Sequence, residues 1–185
     1  MAESDVPIRE VYVQPGESHL MSQPVVFRTV LGSCVGVTFL VPRLGIGALC
    51  HPMMPRCPPA QLPKLTVEAG RRYVDFAIRD MGSQLDRLGA TRTEAVVKLF
   101  GGNDVLMVAD RDPRQTIGNQ NYEAALHALR EEGFQVAASC LGGTTGVHIT
   151  FDTATGEVLL RRLDSGVSNP RQKTARTAHG HHHPR

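Results

Sequence analysis

Three β-rich runs, residues 25–30, 35–41 and 44–50, follow one another too closely for any helix to cross between them. Chains joined that tightly pair as antiparallel neighbours, so these runs predict a meander, interrupted at 31–34 and turned at Arg43. Five prolines in residues 52–66 then rule out regular structure and predict a loop directly after His51. Val74, Ala77, Ile78, Met81, Leu85 and Leu88 recur at helical spacing, which predicts one helix over 67–88 stopped by Gly89. A buried strand at 95–100, closed by Gly101-Gly102, precedes a short strand near 105–108 and a second helix over 119–132. Strands at 135–139, 147–151 and 157–163 finish the pattern, the last two joined by a hairpin turn at 152–156. The expected fold class is α/β: a layered sandwich with mixed, largely antiparallel sheets and two main helices.

The ends read differently from this middle. Residues 1–23 are polar, with Pro7, Pro15 and Gly16, and are expected to form a loosely attached arm with one strand at 11–13. Residues 24–164 form the folded domain. Residues 165–185 are a basic, His-rich tail without periodicity, expected to be disordered. The formal charge is +2, and the tail alone contributes Arg171, Lys173, Arg176 and Arg185 with no acid. Taking those four positive charges from +2 leaves the rest of the chain at −2, which speaks against a nucleic-acid surface. Six Phe, three Tyr and no Trp speak against a base-stacking platform as well. No apolar run reaches the ~18 residues of a membrane span, and the acidic start is unlike a secretory signal, so a cytoplasmic location without membrane insertion is expected. In a reducing compartment the four cysteines are free thiols, and the question becomes which of them reacts.

Cys34 lies in Gly32-Ser33-Cys34-Val35-Gly36. Glycines two before and two after a nucleophile let a turn project its side chain and leave main-chain N–H groups near the sulfur. The same residues also fit a glycine bulge between strands with Cys34 as a small buried hydrophobe. A thiol needs a base to become a useful nucleophile. His19 lies in the arm, His127 on the outer face of a helix and His148 within a strand, whereas His51 ends a strand beside the proline-rich loop. A meander can bring His51 to Cys34, although the spacing does not force it. Cys50, His51 and Cys57 offer a zinc alternative whose Cys-x6-Cys spacing is unlike a zinc knuckle. The His-rich stretch at 179–183 fits a disordered tract or purification remnant better than an active centre. Gly101-Gly102 and Gly142-Gly143 each follow a strand and either admit substrate backbone closely or simply turn the chain, turning being the preferred single reading.

Several blocks taken in order carry a resemblance. They are Leu31-Gly32-Ser33-Cys34-Val35-Gly36, the run from Gly45 to Pro55, Lys98-Leu99-Phe100-Gly101-Gly102, Ile117-Gly118-Asn119-Gln120-Asn121, Leu141-Gly142-Gly143 and Thr155-Gly156-Glu157-Val158. Over roughly residues 25–163 the chain resembles the CheD family of chemoreceptor glutamine deamidases. The resemblance implies an α/β sandwich similar to the catalytic domain of deamidating cytotoxic necrotizing toxins. It implies a cysteine-dependent hydrolase converting selected receptor glutamines to glutamate, with Cys34 as nucleophile, His51 as base and Thr29 as the assisting threonine. No metal and no cofactor are implied. The implied partners are the cytoplasmic helices of chemoreceptors and a CheC-type phosphatase. A non-catalytic chemotaxis adaptor, and a different cysteine hydrolase acting on another protein's glutamine or on a methyl ester, are the rival readings. The chain departs from many members at Ser139-Cys140, where an acid is usual, and at Val147-His148, where a basic residue is expected.

Overall fold

The computed structural model describes residues 9–105, 112 and 116–163. Among the described residues, nine strands and three α-helices run in the order β1 (Arg9–Tyr12), β2 (Ser18–Met21), β3 (Val25–Leu31), β4 (Val35–Val41), β5 (Ile46–Cys50), α1 (Val67–Gly70), α2 (Val74–Arg87), β6 (Val96–Gly101), α3 (Ile117–Glu131), β7 (Val136–Leu141), β8 (Val147–Asp152) and β9 (Val158–Arg162). One sheet has the strand order β1-β3-β8-β9 and the other β2-β5-β4-β6-β7. The pairs β1–β3 and β6–β7 are parallel and the other five are antiparallel, so the expected mixed, largely antiparallel architecture is observed.

Strand alternation sorts the side chains into two cores. Val35, Val37, Phe39 and Val41 of β4, with Ala48 and Cys50 of β5, face α2 and α3, where Ile78, Met81, Leu85, Ala125 and Leu129 complete one apolar cluster. The opposite faces of the same strands meet the other sheet through a second cluster that includes Phe27, Leu31, Leu49, Phe100, Ile149 and Phe151. The layers are therefore sheet, sheet and helices. The close approach of the sheets requires Gly47: a Cβ there would come within 2.3 Å of Thr153 Cγ2.

Three expectations are corrected. The 25–50 region is not a single meander. β3 pairs with β1 and β8, whereas β4 pairs with β5 and β6, so the chain changes sheets at residues 32–34. Close spacing forbids a crossover helix but does not oblige neighbours to pair. The single helix expected over 67–88 is two, because residues 71–73 leave the helix to meet the proline-rich loop: Met53 and Met54 N–H both donate to Arg72 O, and Val74 N–H donates to Met54 O. Gly70 makes room for the Phe76 ring at this break. The arm is also no loose attachment where it is described. β1 and β2 are edge strands of the two sheets, and Val13 is fully buried in the inter-sheet core. Its polarity misled because an edge strand needs main-chain partners and one or two inward side chains, not a continuous apolar face. The tail at 165–185, most of the expected strand at 105–108 and most of the connection at 110–118 lie outside the described residues.

Candidate active site

Cys34 stands at the sheet-to-sheet crossing between β3 and β4 and is half-buried. The crossing is held by main-chain bonds from the loop after β6: Gly102 N–H donates to Cys34 O at 2.8 Å and Asn103 N–H to Gly32 O at 2.9 Å. Gly101 and Gly102 adopt φ of 92° and 64°, a region that favours glycine, and a Cβ on Gly101 would stand 2.4 Å from Cys34 O. Their role thus exceeds turning the chain. Gly142 N–H donates to Gly101 O and Asp104 N–H to Gly143 O, so the second glycine pair supports the first. By contrast, neither Gly32 nor Gly36 lies among the positive-φ glycines, which corrects the idea that they permit a sharp turn. Gly36 provides space instead, since a Cβ there would meet Leu31 Cδ1 at 2.9 Å and Ile149 Cδ1 at 3.3 Å.

His51 follows β5, and alternation turns its side chain away from Cys50 and into the space between the sheets. Cys50 belongs to the helix-side core, so the two adjacent residues face opposite ways and do not form the zinc centre that their sequence allowed. Among the described residues no group of three or more His, Cys, Asp or Glu is placed to hold a metal. The His51 main chain is gripped by the arm on both sides: Gly16 N–H donates to His51 O at 2.7 Å, and His51 N–H donates to Glu17 O at 2.9 Å. His51 is 1% exposed.

Thr29, fully buried on the inward face of β3, donates its hydroxyl proton to Val13 O at 2.7 Å and lies 2.8 Å from His51 Nδ1. A hydroxyl has one proton to give, so the Thr29 oxygen can only accept from Nδ1–H. Val13 O, 3.3 Å from Nδ1, can also only accept. Both contacts therefore require the proton on Nδ1 and leave Nε2 with its lone pair. Nε2 is buried and has no hydrogen-bond partner among the described residues. The β4–β5 ladder continues past its last register pair through Val35 N–H to Pro52 O at 3.3 Å, so Cys34 and His51 each lie one residue from that bond. Cys34 Sγ does not hydrogen-bond Nε2 in this resting arrangement.

Burial sets the charge state. It holds the His51 imidazole below its ordinary value of 6.5, against weaker opposing effects of Val13 O and Glu17. It also pushes the Cys34 thiol above 9.0, opposed in part by the residue's own N–H against the sulfur. The resting pair is thus a neutral thiol and a neutral imidazole. Cys50, pushed up to about 12 by burial, is inert by comparison.

A cavity of about 110 Å³ opens beside Ser33 and is lined by Asn103, Asp104, Val105, Thr116, Ile117 and Gly118. Val105 and Ile117 are exposed apolar side chains on its wall. His19 is bonded to Glu17, His127 pairs with Glu131 on the exposed side of α3, and His148 points outward from β8. None of the three is engaged by Thr29.

Reasoning from sequence missed Val13, Gly16 and Glu17, which hold His51, and assigned no role to Asn103 and Asn121 beside the Cys34 crossing. The available signal for Asn121 was its place at the end of the Ile117–Asn121 block that carries the family resemblance. For the three arm residues no sequence signal existed.

Residues 53–162, more than half of the chain, match the family model described as CheD chemotactic sensory transduction. A protein of Geobacter sulfurreducens, named "Probable chemoreceptor glutamine deamidase CheD 2", is 40% identical over 83% of this chain and 90% of its own length. Its counterpart in Maridesulfovibrio salexigens, "Probable chemoreceptor glutamine deamidase CheD", is 34% identical over 89% of this chain and 98% of its own length. One from Pseudomonas savastanoi with the same name is 32% identical, with coverage of 94% and 97%. This chain belongs to the CheD family.

Proposed function

We propose that the chain is a protein-glutamine deamidase of chemoreceptors in which Cys34 is the nucleophile, His51 the general base and acid, and Thr29 the residue that orients His51. One observation carries this reading: Thr29 and Val13 occupy the Nδ1 side of a buried neutral imidazole, which reserves Nε2 for a proton. Glutamine's carboxamide is a poor electrophile, so nucleophile and proton acceptor must act together. The reaction requires Cys34 Sγ to reach Nε2, which the half-buried side chain does by turning about its Cα–Cβ bond.

The Cys34 proton passes to Nε2 as sulfur bonds to the carboxamide carbon, and the carbonyl oxygen becomes an oxyanion. Cys34's own N–H, which lies against the sulfur, supplies a donor for it, whereas the Gly102 and Asn103 N–H groups are already committed to Cys34 O and Gly32 O. The carbon–nitrogen bond breaks as Nε2 returns the proton to nitrogen, so ammonia leaves and a thioester remains. Water then attacks, giving its proton to Nε2, and collapse expels the sulfur, which recovers the proton. Each turnover replaces a neutral amide by a carboxylate on the receptor, which alters the electrostatics between receptor helices.

The test is mass spectrometry of purified receptor fragments incubated with the protein. A gain of about 1 Da at discrete glutamines, from replacing NH2 by OH, marks deamidation. Unchanged glutamines with regulation intact would favour an adaptor, and loss of methyl esters alone would favour an esterase.

A further inference from the structure

We propose that Asn121 is a positioning residue that sets the approach of Cys34 to His51; this inference rests on the reading of those two residues as a catalytic pair. Asn121 is fully buried near the start of α3. Its Nδ2 donates to Ser33 O at 2.8 Å and to Met53 O at 2.9 Å. Both partners are carbonyls, so the amide orientation is fixed by chemistry: the two protons of one nitrogen go to the two acceptors, and Oδ1 turns the other way, without a partner.

The two carbonyls belong to the residue before Cys34 and the second residue after His51. Between them the β4–β5 ladder is ending. Its register stops at Val37–Cys50, and the remaining main-chain bond, Val35 N–H to Pro52 O, is long at 3.3 Å. The strands would be free to splay just where the thiol and the imidazole must meet. Asn121 closes that open end from a third element, beyond the residues it brings together, and touches neither reacting atom. A side chain so placed acts on geometry. A misplacement of about 1 Å between reacting groups can cost about a hundredfold in rate.

The experiment compares wild type, Asn121→Ala, Asn121→Asp and His51→Ala in two assays. One is the pH dependence of Cys34 alkylation by iodoacetamide, read by peptide mass, which needs no receptor. The other is kcat and KM for deamidation of a receptor fragment. Asn121→Asp nearly preserves volume while removing both donors, and it substitutes for the alanine variant should that variant not fold by far-UV circular dichroism. The expected result is a fall in kcat of about 10- to 100-fold with KM within about threefold, and an alkylation profile shifted toward that of His51→Ala. A folded Asn121 variant with the wild-type profile and wild-type kcat overturns the proposal while leaving the Cys34–His51 pair intact. Identical profiles for wild type and His51→Ala overturn the pair itself, and the positioning role with it.

Discussion

Thr29 Oγ1 gives its proton to Val13 O and accepts the one on His51 Nδ1, and this single hydroxyl fixes which nitrogen of the imidazole is basic. An acid in this place would draw the imidazole toward the charged form. A hydroxyl fixes the tautomer without adding charge to a site already short of solvent.

Replacing Thr29 by Val, nearly the same in shape, removes that control. The Nδ1–H keeps only the longer contact to Val13 O, and the ring can turn or change tautomer. We expect deamidation to fall about 10- to 100-fold, in keeping with about 1–3 kcal/mol for a buried hydrogen bond left unmade. Thr29→Ser should retain most activity. Initial rates on a receptor fragment check both variants, and full activity in Thr29→Val would remove Thr29 from the mechanism.

The pH profile follows from the charge states. With neutral His51 as the proposed base, and burial holding its value below 6.5, kcat/KM should rise with pH through a limb lying under 6.5. It should then stay level and fall only above 9.0, where the thiol loses its proton to solvent and His51 has none to give to ammonia. A profile climbing through pH 8–9 would instead indicate that the thiolate alone reacts. The same group links stability to pH. A base whose folded value is depressed favours the unfolded chain once protonated, so its contribution is present above 6.5 and is lost as pH falls from there through the folded value. Thermal melts of wild type and His51→Ala across that window should converge toward acid.

Gly101→Ala and Gly142→Ala separate steric from conformational demand. Both positions have positive φ, but a Cβ at Gly101 meets Cys34 O at 2.4 Å, whereas one at Gly142 meets nothing within 4 Å. Gly142→Ala should cost about 1–3 kcal/mol from backbone strain alone. Gly101→Ala should cost more and should also impair catalysis by displacing Cys34. Melting temperatures and rates for the pair decide it; equal losses in both would mean the contact with Cys34 O is without consequence.

Alkylation of the native protein should discriminate among the thiols. Cys50 and Cys57 are buried with raised values, and Cys34 and Cys140 are half-buried. Brief iodoacetamide treatment followed by peptide mapping should label Cys34 and spare Cys50, with activity lost in step with Cys34. Rapid labelling of Cys50 would contradict the burial of β5 against α2.

Much of this site could be read from sequence because its parts are local. Cys34 sits between two β-rich runs, His51 ends a third, and Thr29 lies five residues before Cys34; Cys34 and His51 each stand in a recognisable block, and Thr29 lies just before the first of them. The two main helices were legible from the spacing of Val74, Ala77, Ile78 and Met81 and of Ala125 and Leu129. What sequence could not supply was partnership across distance. The assignment of β3 and β4 to different sheets depends on β8, more than a hundred residues away, which pairs with β3. The break after Gly70 depends on Met54, which offers its main chain to residues 72–74. The arm's grip on His51 uses main-chain groups of Gly16 and Glu17, which leave no trace in side-chain patterning.

The most direct measurement is deamidation of a receptor fragment by the Cys34→Ala protein beside wild type, read as mass gain at individual glutamines. With the sulfur removed and the fold intact, conversion should be abolished at every site that wild type modifies. Conversion persisting at the wild-type rate would mean that the thiol at the sheet crossing is a bystander.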